Sequence, residues 1–321
     1  MRIARPLAAA AAAASVLLAT ACGYEPTPVP TAEPTTAATS APSPPAAPTC
    51  DNATQSYDPL SPLPAPGAMP DGTTMAEIQE RGRLIVGVSA DTFLLGSRNP
   101  QTGDIEGFDI DIARAVADAI FGDPDRIQLT VITAADRIPV LESGEVDIVV
   151  RNMTMTCSRW EQIAFSAEYY RSGQKILVRQ GSDITGLESL ADRRVCAPNA
   201  TSSMENLMRL APDAVPVGSS NHTGCLVLFQ RGEVDAITGD DTVLAGLAAQ
   251  DPYAVVLAGD AFTEEPYGIG VAAEDTDLVA FVNGVLEQMR ADGRWQAAYD
   301  RWLAPTLGEG TGAPTPVYGR G

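Results

Sequence analysis

Two hydrophobic rhythms alternate between residues 83 and 150, and that alternation restricts the chain to few folds. Residues 83–89 (RLIVGVS) form a short apolar run of strand length. Such a run, apolar at successive positions, suits a strand buried on both faces of a parallel sheet. Asn99-Pro100 and Thr102-Gly103 mark a turn. Asp109 is placed to cap a helix whose residues Ile112, Ala113, Val116, Ala117 and Ile120 share one apolar face. Gly122-Asp123-Pro124 stops it. Residues 127–132 read as the next strand, 137–143 as a short helix and 146–150 as another strand.

The same grammar returns further on. Residues 194–197 read as a strand, 203–210 as a helix, 226–231 as a helix, 234–238 as a strand and 241–249 as a helix. Leu278, Phe281, Val282, Val285, Leu286 and Met289 form a helical stripe, continued in a last helix by Trp295, Tyr299, Trp302 and Leu303. These stripes are core packing, and none is assigned to a cofactor. Strands alternating with helices predict an α/β fold with mainly parallel sheets flanked by helices on both faces.

The ends read differently. Arg2 and Arg5 precede an apolar stretch over residues 7–21 that is too short for a permanent membrane span. It ends in Leu18-Ala19-Thr20-Ala21-Cys22, which resembles a lipoprotein cleavage site with Cys22 as the lipidated residue. An ordinary secretory signal cleaved nearby is the alternative, and both export the protein. Residues 23–49, rich in Pro, Thr, Ala and Ser, cannot bury apolar surface and read as a disordered tether. In polyproline form such a tether would reach roughly 80 Å at ~3.1 Å per residue. Residues 306–321 are expected to be disordered as well. The 321 residues suggest about two domains plus tails. The net charge of -20, with no basic run, excludes nucleic acid as a partner.

Segments in order carry a resemblance. They are GFDIDIARAVADAIFG, ADRIPVLESGEVDIVV, NMTMTCSR, FSAEYYRSGQKILV, VCAPNATSS, RGEVDAITGDDT and EEPYGIG, then NGVLEQMRADGRWQAAYDRWL. Over about residues 84–303 the chain resembles the type II extracytoplasmic solute-binding proteins of the polar amino-acid (glutamine/glutamate/aspartate-binding) ABC transporter family. It is most like the glutamate-binding lipoproteins of actinobacteria. The resemblance implies two α/β lobes in a periplasmic-binding-protein fold. Lobe 1 would comprise residues 50–173 and 268–305, and lobe 2 residues 179–263. Hinge crossovers would lie at 174–178 and 264–267, with the ligand in the interlobe cleft.

An α-amino acid needs an anion clamp, an ammonium acceptor and a side-chain reader. By resemblance, Arg159 in NMTMTCSR grips the α-carboxylate, which a guanidinium fork matches bidentately. The bland alternative is a surface arginine paired with Glu161 or Glu168. Thr154 matches a ligand-bonding threonine, and Asn152 falls where the ammonium is accepted. Thr201 and Ser202 match the helix-start turn whose backbone N–H groups hold the carboxylate. The chain reads NATSS there, where the family usually has a glycine-rich GSTS. Asp240 matches the ammonium-binding carboxylate, with Asp241 as the helix cap beside it. Arg137, within ADRIP, stands where glutamate and aspartate binders pair the ligand's side-chain carboxylate. Arg151 lies on the strand leading into the ligand loop as a second positive charge. Phe93 is a candidate apolar wall, and Ser89 and Asp91 lie in the same least family-like loop.

Beyond Cys22, Cys50, Cys157, Cys196 and Cys225 remain, and four cysteines of an exported protein allow three disulfide pairings. A bond between lobes would hinder closure. The lobes implied by the resemblance therefore pair Cys196 with Cys225, leaving Cys50 to pin the tether beside Cys157. No CxxC or paired-histidine spacing suggests a metal, and no cofactor is expected. His222, the lone histidine, reads as a solvated or structural loop residue. The expected protein is a monomer, lipid-anchored outside the cytoplasmic membrane. It captures glutamate or aspartate and delivers it to an ABC permease. The alternative is a sensor that signals to a membrane partner. A dehydratase-like enzyme ranks last, because the cleft groups already have binding roles.

Overall fold

The computed structural model describes residues 50–321. The leader, Cys22 and the proline-rich stretch lie outside the described residues. In chain order the elements are α1 (Thr74–Arg81), β1 (Leu84–Val88), β2 (Asp91–Thr92), β3 (Gly96–Arg98), β4 (Ile105–Glu106), α2 (Phe108–Phe121), β5 (Ile127–Val131), α3 (Pro139–Glu142), β6 (Ile148–Val149), α4 (Cys157–Trp160), β7 (Ile163–Phe165) and β8 (Tyr170–Arg179). Then follow β9 (Arg194–Pro198), α5 (Ser202–Leu210), β10 (Val215–Ser219), α6 (His222–Gln230), β11 (Ala236–Asp240), α7 (Asp241–Gln250), β12 (Ala254–Val256), β13 (Thr263–Tyr267), β14 (Gly270–Ala272), α8 (Thr276–Asp292), α9 (Arg294–Trp302) and α10 (Ala304–Leu307).

Two sheets result. The first has the order β5-β1-β6-β14-β7, the second β10-β9-β11-β8-β12, with β13 also on β8. β1 is parallel to β5 and β6, and β9 is parallel to β10 and β11. These are the βαβ halves that the alternating periods predict. The sheets are nevertheless mixed, because β14 runs antiparallel in the first and β8 in the second. β8 carries the chain out to the second lobe and β14 follows its return, and sequence periodicity does not orient either pass.

The passage between lobes is one ladder. Tyr170–Gln174 pair antiparallel with Thr263–Tyr267, while Gln174–Val178 already pair with β11 in the second sheet. The first crossover therefore precedes the 174–178 expected from the sequence. Gly173 sits in this ladder because a Cβ there would meet Ala261 Cβ at 2.3 Å.

The core of lobe 1 gathers Leu84 and Val86 of β1 with Phe108, Ile112, Val116, Phe281, Val285 and Trp295 of α2, α8 and α9. Asp109 does not cap α2. Gly107 holds the N-cap position without a side-chain bond, and Asp109 lies one turn-position inside, 2% exposed. The cysteines pair as Cys50–Cys157 and Cys196–Cys225.

The segment after residue 306 is not loose. Val317 bridges Gln55, and Ser56 N donates to Val317 O at 2.8 Å. Arg320 donates to Gln55 O and Asn52 O and lies 3.7 Å over the Trp160 ring. Composition alone argues for disorder there, but partners more than 260 residues away supply the binding energy that the segment itself lacks.

Candidate functional site

Helix N-termini follow the carboxyl ends of β9, β10 and β11, and residues at the starts of those helices bond lobe 1. Thr223 Oγ1 at the start of α6 donates to Asp91 O at 2.9 Å across the divide. Opposite them, lobe 1 presents the loops after β5 and β6 and the short helix α4.

Three arginines meet there. Arg137, Arg151 and Arg159 are 3%, 5% and 7% exposed. Arg137 donates Nε to Ala134 O at 2.9 Å, Nη1 to Asn152 O at 3.4 Å and Nη2 to Ala200 O at 3.2 Å. The last of these crosses to lobe 2. Arg159 donates Nη1 to Thr154 O at 2.6 Å and Nη2 to Ala200 O at 3.5 Å. Arg151 is held by Nε to Ile132 O at 3.0 Å. Each guanidinium has five N–H donors, so all three keep donors beyond those the described residues occupy. Burial pushes Arg137 well below the usual guanidinium range, and the neighbouring charges of Arg159 and Arg151 push it further. Burial also lowers Arg151, against Asp91, Asp109 and Asp136, and Arg159, against Glu205, Glu265 and Asp240.

The acceptors are equally buried. Asp240 takes the N-cap position of α7 without capping it. Its Oδ2 accepts from Tyr267 at 2.7 Å, and its Oδ1 has no partner among the described residues. Burial, then the charge of Glu265, pushes Asp240 up to about 8. Asp241 instead accepts from Ser172 and from Thr242 N. Asn152 adopts φ 35°, tolerable for asparagine, and its Oδ1 is likewise unpartnered among the described residues. Thr154 and Ser202 hydroxyls meet at 3.1 Å across the lobes. Thr201 has its hydroxyl committed to Pro198 O and to capping Met204 N, so only its neighbour Ser202 reaches the cluster. Ala200 takes the left-handed φ of 57°, where the family pattern would put glycine.

Phe93 stands apart. It is 43% exposed, and its carbonyl oxygen lies where a Cβ at Gly246 of α7 would meet it. Ser89 bonds Asp91 and Thr92, and Asp91 faces Arg151. Glu161 and Glu168 do not hold Arg159; Glu168 pairs with Arg171.

Sequence reasoning misses three residues. Asp109 accepts from Asn152 N and Tyr169 Oη at 2.9 Å each, fixing the ligand loop from beneath, and burial pushes it up to about 6. Glu265 accepts from both Thr154 and Ser202. His222 is no solvated loop residue. It opens α6, its Nε2 is buried without a partner among the described residues, and it fills the space a Cβ on Gly239 would need, 2.4 Å away. Burial and the arginines push it down to about 3, so it is neutral. A four-residue error at the start of α6 hid it, since Asn221 caps that helix. A cavity of about 630 Å³ lies outside the cluster, beside Tyr170, Lys175 and residues 309–315. It holds none of these unpaired buried atoms, so the chemistry belongs to the interlobe cluster. Among the described residues no His, Cys, Asp and Glu group is arranged to hold a metal ion.

Two α/β lobes on a strand hinge, closing buried cations and acceptors from both sides on one point, define a type II periplasmic-binding-protein shell for a small polar ligand. Residues 84–305 match the bacterial extracellular solute-binding proteins, family 3, and the chain belongs to that family. It is 37% identical over 231 residues to the ABC transporter glutamine-binding protein GlnH of Bacillus subtilis, covering 72% of this chain and 84% of that protein. It is 31% identical over 258 residues to the glutamate-binding protein GluB of Corynebacterium efficiens, covering 77% and 86%. The solute receptor for L-cysteine of Neisseria gonorrhoeae superposes with a TM-score of 0.70 at 28% identity, covering 74% of this chain and 96% of that one. The chain is therefore an exported amino-acid-binding protein of the ABC transporter type.

Proposed function

We propose that the protein captures an acidic amino acid, glutamate or aspartate, in the interlobe cluster and presents it to an ABC permease. The supporting observation is the burial of Arg137, Arg151 and Arg159 together, at a mutual electrostatic cost that an anion would relieve. Arg159 takes the α-carboxylate, with backbone N–H groups at Thr201 and Ser202 opposite. Asp240, Asn152 and Thr154 take the ammonium, and Arg137 with Arg151 takes the side-chain carboxylate. Lipidated Cys22 and the 23–49 tether hold the shell to the outer face of the membrane. Capture closes the lobes because the ligand touches both, a shift of population toward the closed form.

The test is titration calorimetry of the purified protein with all common amino acids. Glutamate or aspartate should bind at least tenfold tighter than glutamine and asparagine. Tighter binding of glutamine, as the name of the Bacillus relative suggests, would reject the acidic assignment and leave Arg137 to the amide oxygen.

A further inference from the structure

Glu265 lies in β13, on the strand that carries the chain back from lobe 2, and is 1% exposed. A carboxylate so buried must be filled with donors. Its Oε2 accepts from Thr154 Oγ1 and from Ser202 Oγ, each at 2.7 Å. Its Oε1 accepts from Asn206 Nδ2 at 3.0 Å and from Thr263 Oγ1 at 2.8 Å. Thr154 belongs to lobe 1, while Ser202 and Asn206 belong to α5 of lobe 2. One carboxylate thus ties the two lobes at their hinge.

Counting protons gives the consequence. A hydroxyl has one proton and two lone pairs. With both protons given to Oε2, no proton remains for the 3.1 Å contact between the two hydroxyl oxygens. Each oxygen turns a lone pair outward and accepts only from a donor. Such a pair suits an ammonium and repels a carboxylate.

We propose that Glu265 is a positioning residue: by taking both hydroxyl protons across the lobe boundary it fixes Thr154 and Ser202 as acceptors for the ligand's ammonium and latches the closed lobes. This rests on the amino-acid-binding reading. The charged groups around Glu265 are Arg159 from lobe 1 and Asp240 from lobe 2, and Glu265 is one of the causes that raise the proton affinity of Asp240. Removing its charge should lower the pH at which Asp240 ionises.

Calorimetry of Glu265→Gln with L-glutamate and with glutarate, which lacks the ammonium, tests this, together with the pH profile of L-glutamate binding. Glutamine keeps one acceptor oxygen and brings two N–H donors of its own, so one hydroxyl must reorient. L-Glutamate should weaken at least tenfold, glutarate less than threefold, and the pH midpoint should move down. Equal weakening of both ligands, or an unmoved midpoint, overturns the proposal as a merely structural role would. Where glutarate binds below detection, the midpoint decides. Should Glu265→Gln fail to fold, Ser202→Ala removes one of the two hydroxyls with the carboxylate in place and must show the same loss for L-glutamate over glutarate. A wild-type protein that binds no amino acid removes the reading underneath; one that binds, with a loss blind to the amine, overturns the role of Glu265 alone.

Discussion

Replacing Arg137 by methionine should separate binding from stability. Three of the five N–H groups of Arg137 are spent on Ala134 O, Asn152 O and Ala200 O, leaving two for a ligand carboxylate. Charge-assisted bonds contribute about 1.5–3 kcal/mol each, and truncating one member of a buried charge pair costs about 2–5 kcal/mol. A loss of about 3–4 kcal/mol follows, roughly 150- to 900-fold in glutamate affinity at 1.36 kcal/mol per decade. Stability should behave differently. Removing a paired buried arginine ordinarily costs about 3–5 kcal/mol. Here only the 2.9 Å bond to Ala134 O is short, and methionine relieves the burial and crowding that depress this guanidinium. The ligand-free protein should therefore unfold within about 1 kcal/mol of wild type. Calorimetry with glutamate and glutamine, and denaturant unfolding without ligand, read the two effects. Glutamate affinity within threefold of wild type, or equal losses for glutamate and glutamine, would refute the assignment of Arg137 to the side-chain carboxylate.

Asp240 gives a pH signature. Its folded pKa of about 8 exceeds the ordinary 3.8, so the ligand-free protein holds a proton that the unfolded chain lacks, and stability falls as pH rises through that interval. His222, depressed to about 3, acts oppositely below its ordinary 6.5, and Asp109, raised to about 6, adds to the fall below that pH, so the fall that belongs to Asp240 alone lies between pH 6.5 and 8 and should vanish in Asp240→Asn. Over the same window glutamate binding should strengthen with pH and release a proton, measured by calorimetry in buffers of different ionisation enthalpy. Replacing Cys196 and Cys225 by alanine opens a loop of 29 residues and should cost about 3.6 kcal/mol by chain entropy, read from denaturant midpoints. Ala200→Gly relieves a left-handed alanine and should leave glutamate affinity within threefold while changing stability by no more than about 1 kcal/mol. Deleting residues 308–321 removes the Arg320–Trp160 stacking and the bonds to Asn52, Gln55 and Ser56, and should cost roughly 2–4 kcal/mol in thermal unfolding.

Much of the fold was legible because burial imposes period on sequence. The stripes of α2, α8 and α9, the stop at Gly122 and the strands β1, β5 and β9 follow from which residues must leave water. Individual candidates were legible in a weaker sense. Arg137, Arg151, Arg159, Asn152, Thr154, Ser202 and Asp240 do converge in space, whereas Phe93 stays 43% exposed and the Thr201 hydroxyl is spent on its own turn. A loop phenylalanine has no period to show which side it faces, and a threonine that caps its own helix looks in sequence like one that binds a ligand.

The amino-acid string alone determined the βαβ grammar and the two lobes' worth of apolar strands and helices, because patterning is a local property, while the candidate arginines came from its resemblance to a family. Only the tertiary structure decided that the 308–321 segment is held, that Asp109 supports a loop rather than a helix end, that His222 is buried and neutral, and that Glu265 joins hydroxyls 111 and 63 residues away. Those facts depend on which distant groups share one low-dielectric space. Hydrogen-bond partnership and the energy of a buried charge are set by that enclosure, which no stretch of neighbouring residues contains.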